Sequence, residues 1–68
     1  MATGTVKFFN ADRGYGFIHR DDGAGDVFVH VSEVQRAGLD VLRDGQRVAF
    51  MIEEDKTGKS RAVDIAAG

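Results

Sequence analysis

Aromatic and imidazole side chains recur at alternate positions in two short segments of the chain. One residue separates Tyr15 from Phe17, and one separates Phe28 from His30. If both segments are strands, each pair of rings lies on a single face, because side chains alternate across a strand. A contiguous patch of exposed rings on a small protein usually marks a binding surface. The chemistry that such a surface offers is stacking against flat ligands such as nucleobases.

Cations flank these rings in the sequence. Lys7 and Arg13 precede the first ring pair, and Lys56 and Lys59 lie in a polar stretch nearer the C-terminus. A ring surface with cations beside it fits a single nucleic-acid strand, whose splayed bases stack while its phosphates pass the charges. The bases of a duplex are already stacked on one another. We therefore predict that the partner is a single strand.

Motifs for other chemistries are incomplete. The acidic turn over 21–26 lacks the spaced ligands and closing glutamate of a calcium loop. The run 58–60 resembles the end of a phosphate-binding loop, but Glu53 stands where its first glycine belongs. His19 likewise replaces the third glycine of a dinucleotide fingerprint beginning at Gly14. With two histidines and no cysteine, the sequence predicts no enzyme, no metal site and no cofactor.

The rings leave an alternative of another class open. A protein-interaction module could use the same exposed rings to receive a peptide instead of bases. Salt-sensitive competition by short oligonucleotides would separate the two functions.

The length and the net charge of the chain restrict the number of domains and the way in which nucleic acid can be bound. The 68 residues suffice for a single domain, which we predict to span 1–68 as a monomer. A net charge of −2 disfavours a polycation that grips duplex DNA through phosphates alone. No secretion signal or membrane-spanning stretch is visible, and the absence of cysteine suits a reducing compartment, so we expect a cytoplasmic protein.

The pattern of turns and apolar residues predicts an all-β fold. Glycine- and aspartate-rich turns link the first three strands as hairpins, which indicates an antiparallel sheet. A short helix is expected over 32–38, with Ser32 as its N-cap and Gly38 as its stop. Closure into a five-stranded barrel would remove the unpaired edges. The predicted strands are Thr5–Phe9, Tyr15–His19, Asp26–Val31, Gln46–Glu54 and Arg61–Ala66.

Alternation assigns the aliphatic side chains to the core. Gly14, Gly16 and Ile18 share the face opposite Tyr15 and Phe17. Turning the rings inward would expose the aliphatic residues instead, so we place the rings outside. The expected core consists of Val6, Ile18, Val27, Val29, Val31, Val48, Phe50, Ile52, Val63 and Ile65.

The run from Arg13 to Ile18 matches most of a ribonucleoprotein signature that fixes a cation, two glycines and two rings together. Arg20 stands where the signature has its last ring. An RNA-recognition-motif domain would place its second aromatic motif before this run and would alternate helices with strands. Here the run 27–30 follows it, and helix is scarce.

Over essentially its full length the chain resembles the bacterial cold-shock proteins. The motifs that carry the resemblance are 4–10, 13–18 and 26–30. It implies an oligonucleotide/oligosaccharide-binding barrel that binds single-stranded RNA and DNA with weak sequence preference. It also implies a role as an RNA chaperone or in the control of transcription and translation. By position, the resemblance assigns the binding face to Lys7, Phe8, Asn10, Arg13, Tyr15, Phe17, Asp26, Phe28 and His30.

Three positions depart from the family pattern. Phe8 replaces a common tryptophan, and Val31 and Leu39 replace phenylalanines that often extend the ring platform, so we expect weaker binding. Simple alternation cannot place Phe8 outward together with its neighbours Lys7 and Phe9. The spacing alone therefore leaves either Phe8 or Phe9 as the exposed ring, unless a bulge intervenes. The resemblance favours Phe8.

Overall fold

Five strands and one short helix make up the computed structural model, which describes residues 1–67. Gly68, the last residue of the predicted domain, lies outside the described residues. Within the described chain, no helix is long and apolar enough to cross a membrane. The elements are β1 (Ala2–Asn10), β2 (Tyr15–Arg20), β3 (Asp26–His30), α1 (Val31–Arg36), β4 (Arg47–Glu54) and β5 (Ser60–Ala67).

The strands close into a barrel in the order β1-β2-β3-β5-β4, which confirms the predicted fold class. The pairs β1–β2, β2–β3, β1–β4 and β4–β5 are antiparallel, as predicted. The closing pair of β3 with β5 is parallel, with Phe28 opposite Arg61. Turn signals specify the direction of strands that follow one another directly. They carry no information about β3 and β5, which α1 and β4 separate.

The N-cap of helix α1 lies two residues earlier than predicted. His30, and not Ser32, is its N-cap, because the His30 ring accepts a hydrogen bond from the backbone N–H of Ser32. Val31 consequently opens the helix instead of extending β3. The predicted stop is confirmed, since Gly38 adopts a φ of 80° and its N–H donates to the carbonyl of Gln35.

The barrel interior is aliphatic except for Phe50, and β2 and β3 contribute to it as their alternation requires. Three of its members are absent from the predicted core: Val34 from α1, Leu42 from the loop before β4, and Ala62 from β5. Strand alternation says nothing about the first two, because they lie in a helix and a loop. Val31 is only half-buried. The buried core consists of Val6, Ile18, Val27, Val29, Val34, Leu42, Val48, Phe50, Ala62 and Ile65, with Ile52 packed against it.

An irregularity in β5 changes which side chains reach this core. Asp64 has a φ of 52°, and the β4–β5 register shifts between Ala49 and Met51. Alternation predicted Val63 and Ile65 in the core. Instead Ala62 and Ile65 are buried and Val63 is half-buried, because the left-handed residue between them interrupts the two-residue period.

Candidate nucleic-acid interface

The predicted rings gather on the outer side of β1, β2 and β3, and we call Phe8, Tyr15, Phe17, Phe28 and His30 the ring surface. Tyr15 is paired with His30 across the β2–β3 ladder, and Phe17 with Phe28. The Tyr15 and Phe28 rings are stacked at an interplanar angle of 18°, with centroids 6.0 Å apart. The Phe28 and His30 centroids lie 6.5 Å apart. The rings therefore form a contiguous patch.

A bulge in β1 resolves the choice between Phe8 and Phe9. The β1–β2 register shifts between Val6 and Phe8, so Lys7 and Phe8 both face solvent. Phe8 is 38% exposed, and its centroid lies 5.6 Å from that of Phe17. Phe9 packs against the core. The preference for Phe8 is thus confirmed.

Gly16 allows β1 to approach β2 closely behind this surface. A Cβ atom at Gly16 would collide with the carbonyl oxygen of Phe8 and would lie 2.8 Å from the Cα of Phe9. A side chain here would therefore force the strands apart at the level of the rings. The glycine between Tyr15 and Phe17 keeps Phe8 within contact distance of both.

His30 presents a defined edge to the ligand side. A backbone N–H can only donate, so the Nδ1 atom that meets Ser32 N at 3.1 Å is an acceptor. The ring proton of neutral His30 then resides on Nε2, which is the nitrogen left for a ligand. The cap therefore orients the imidazole and selects its tautomer.

A charged cluster borders the ring surface at the start of β3. The Asp26 carboxylate accepts from Lys7 Nζ at 3.0 Å and pairs with His19 Nδ1 at 3.1 Å. Hydrogen bonding from Lys7, and then from His19, lowers the pKa of Asp26. The lowered pKa keeps the Asp26 carboxylate ionised at neutral pH, as a hydrogen-bond acceptor at the edge of the ring surface.

Asn10 and Arg13 occupy the turn between β1 and β2. The Asn10 side-chain oxygen accepts from the Arg13 backbone N–H at 3.1 Å, and its carbonyl accepts from Gly14 N–H at 2.8 Å. Asn10 therefore positions the turn. The side chain of Arg13 makes no ion pair within residues 1–67.

The β4–β5 loop carries both predicted lysines, and they differ in position relative to the ring surface. Lys59 lines an open cavity of about 640 Å³ beside the ring surface, whereas Lys56 is exposed in the same loop and does not line it. Asp55 shapes the loop by accepting from the hydroxyl of Thr57 at 2.6 Å and the N–H of Lys59 at 3.0 Å. These hydrogen bonds, that of the Thr57 hydroxyl foremost, lower the pKa of Asp55.

Sequence reasoning missed Arg61. It lines the cavity with Phe17 and Phe28, and its guanidinium donates to Glu53 at 2.7 Å. That hydrogen bond raises the pKa of Arg61. Only the parallel β3–β5 pairing brings Arg61 beside Phe28, and no local pattern in the sequence announces this pairing.

Val31 and Leu39, the two departures from the family pattern that lie beyond β3, do not extend the ring surface. Val31 is half-buried in α1 and lies against Gly14, where a Cβ atom would come within 3.1 Å of it. Leu39 is half-buried and packs against the core. Neither provides a ring, so the ring surface ends at His30 on this side.

The fold and the ring surface can now be compared with known proteins. The profile of the 'Cold-shock' DNA-binding domain matches residues 2–67. The chain belongs to the cold-shock domain family. A probable cold shock protein, y4cH, of Sinorhizobium fredii is 54% identical, covering 98% of this chain and 99% of its own. Cold shock protein CspA of Rhizobium meliloti shows the same identity and coverage. The major cold shock protein of Streptococcus pyogenes serotype M6 is 51% identical over 96% of this chain and 94% of its own.

The family assignment confirms the resemblance stated from the motifs and the coarse function with it. Cold-shock domains bind nucleic acid, and this one spans nearly all of the chain. Within residues 1–67, no group of three or more His, Cys, Asp or Glu side chains is placed to hold a metal ion.

Proposed function

We propose that this cold-shock domain binds single-stranded RNA and DNA as a monomer in the cytoplasm, with little sequence preference, and acts as an RNA chaperone or as a regulator of transcription or translation. The observation that carries the proposal is the ring surface. Its rings lie in contact across three strands, and each is half-buried or exposed.

Stacking supplies most of the affinity in this proposal. Each base that stacks on an aromatic side chain gains about 1–3 kcal/mol, and every base has a face that can stack. Phosphates are neutralised by Lys7, Arg13 and Lys59, with Lys56 available further along the loop. Because the site relies on ring faces, it binds sequences broadly.

Weak discrimination follows from the small number of polar groups beside the rings. The Nε2 atom of His30 and the carboxylate of Asp26 are the groups placed to read base edges. The acidic run Glu53-Glu54-Asp55, whose last residue lines the cavity, adds negative charge there and repels phosphate at one boundary of the binding path.

A chaperone role follows from mass action. A protein that binds only unpaired bases lowers the free energy of the open strand and shifts a weak RNA hairpin toward it. The shift is reversible because each contact is weak. Broad binding then prevents misfolded pairing without favouring one transcript.

Tyr15 offers a direct readout of binding. The chain contains one tyrosine and no tryptophan, so its intrinsic fluorescence reports a residue of the ring surface. We expect single-stranded homopolymers of DNA and RNA to quench this fluorescence saturably, and a matched duplex to leave it unchanged. Equal binding of the duplex would overturn the proposal. A peptide that competes with these oligonucleotides would favour the interaction module instead.

The chaperone role is tested with a marginally stable RNA hairpin labelled with a fluorophore and a quencher. We expect the protein to lower the melting temperature of the hairpin, and the Phe17→Ala variant to do so less. A hairpin whose melting is unmoved at saturating protein would leave single-strand binding intact and remove the chaperone function.

A further inference from the structure

The cavity beside the ring surface has two walls of different chemistry. Phe17 and Phe28 form its apolar wall, and Lys59, Ser60 and Arg61 form a polar wall on the far side of the β3–β5 seam. Its volume of about 640 Å³ falls within the range of small-molecule sites, roughly 300–1,000 Å³. The cavity therefore spans the β3–β5 seam and connects two rings of the ring surface with the polar residues at the start of β5.

Arg61 keeps donors to spare. Its Nη2 atom binds Glu53 Oε1 at 2.7 Å, and this is its single hydrogen bond to another side chain in the described chain. A guanidinium has five N–H donors in a fixed fork, so the ion pair leaves most of them unused. The Arg61 side chain is 48% exposed beside the cavity. It can bind an anion without first leaving Glu53.

The carboxylates lining the cavity are already engaged. Asp55 accepts from the backbone and hydroxyl of its own loop, and Asp26 accepts from Lys7 and His19. By contrast, the ammonium of Lys59 makes no ion pair within residues 1–67. The polar wall therefore offers two cations to an incoming group, whereas the charges of the carboxylates are partly compensated.

We infer that Arg61 is a phosphate-binding residue, and that a bound single strand leaves the ring surface across the β3–β5 seam with one of its phosphates between Arg61 and Lys59. This inference rests on the proposed binding of single-stranded nucleic acid. It extends the binding path to β5, which the sequence analysis did not include in the binding face. Glu53 moderates the contact, because its negative charge partly cancels that of the guanidinium.

The test compares Arg61→Gln with Arg47→Gln. Both variants remove one positive charge from an exposed, ion-paired arginine, but Arg47 pairs with Asp21 outside the ring surface and the cavity. Binding of a single-stranded DNA homopolymer is measured by Tyr15 fluorescence at about 0.1 M and about 1 M salt. Each phosphate contact of a single strand contributes about 0.7 to the salt slope, so the loss caused by Arg61→Gln should be about fivefold larger at the lower salt. Arg47→Gln should show no such difference.

A third variant tests the role of Glu53. Glu53→Gln should raise affinity at low salt by about two- to fivefold, which corresponds to the strength of an exposed ion pair. Equal effects of Arg61→Gln and Arg47→Gln at both salt concentrations would overturn the inference, and so would a loss of affinity in Glu53→Gln. Single-strand binding by the wild-type protein would in that case remain, so failure of the inference differs from failure of the proposed function.

Discussion

Phe17 and Phe28 are direct partners across the β2–β3 ladder, and their ring centroids lie 5.9 Å apart at an interplanar angle of 74°. This edge-to-face contact holds both rings in place before a ligand arrives, and such pairs contribute about 0.5–1.5 kcal/mol beyond burial. Both rings are half-buried and line the open cavity. Preorganised rings lose little side-chain freedom when a base stacks on them.

Removing either ring should affect binding more than folding. We expect Phe17→Ala and Phe28→Ala each to weaken single-strand binding by about 1–3 kcal/mol, the contribution of one stacked base. The free energy of unfolding should fall by only about 1 kcal/mol, because each ring is only half-buried and the full burial of such a side chain contributes about 1.5–3 kcal/mol. Fluorescence titration and urea denaturation measure the two quantities.

A matched control is Met51→Ala, which truncates an apolar side chain that is 45% exposed on β4, outside the ring surface. Its affinity should equal that of the wild type. A folded Phe17→Ala or Phe28→Ala variant with unchanged affinity would show that the ring contributes nothing to binding.

The opposite result is expected for the inward side chains of β3. Val27 is 2% exposed and Val29 is fully buried. Truncating either to alanine should lower the free energy of unfolding by roughly 1–3 kcal/mol, because transfer free energy is lost and a cavity remains. Affinity of the folded fraction should stay the same. A reversal, in which the valines affect binding and the rings affect stability, would contradict the assignment of faces.

Salt dependence separates stacking from phosphate contacts. Lys7, Arg13 and Lys59 give about three contacts, which imply a slope of log affinity against log salt near −2 at about −0.7 per contact, and the inferred contact of Arg61 moves the slope toward −3. Affinity is measured over a salt series. A slope several-fold steeper would mean that phosphate contacts dominate, and a flat line would remove the cations from the site.

The stability of the fold is expected to depend on pH through Asp21, which follows β2. Its side chain forms hydrogen bonds to Thr3 of β1 and to Arg47 of β4. Its carboxylate accepts from Arg47 Nη2 and from the Thr3 hydroxyl, each at 2.7 Å. These bonds, that of Arg47 foremost, lower the pKa of Asp21 from 3.8 to about 2. Because the folded-state pKa is the lower one, the carboxylate stabilises the fold above the unfolded-state value, and this stability disappears as the pH falls through the folded-state value.

We therefore expect Asp21→Asn to be less stable than the wild type at about pH 6, and the gap to narrow between about pH 4 and about pH 2. Thermal unfolding at a series of pH values measures this gap. A gap that is constant over the whole range would mean that the charge of Asp21 is not what stabilises the fold.

Strand alternation and turn composition predicted much of this fold and site, because both depend on residues that are close together in the sequence. Alternation along β2 and β3 separates Ile18 from Phe17 and Val27 from Phe28, and the structure confirms both assignments. The rules failed where structure depends on distant partners. Asp64 interrupts the period of β5, Val34 fills the barrel from a helix, and Arg61 reaches the cavity through a parallel pairing.

The bulge at Lys7 shifts the alternation of inward and outward side chains along β1 by one residue. Val6, before the bulge, lies in the core, and Phe9, after it, packs against the core. Both sides of the bulge therefore keep an inward side chain. The shift adds one outward position, so two adjacent residues face outward where ordinary alternation would allow one. A cation and a ring thereby occupy successive residues on the same side of the barrel. Deleting Lys7 would cancel the shift without removing any ring from the chain.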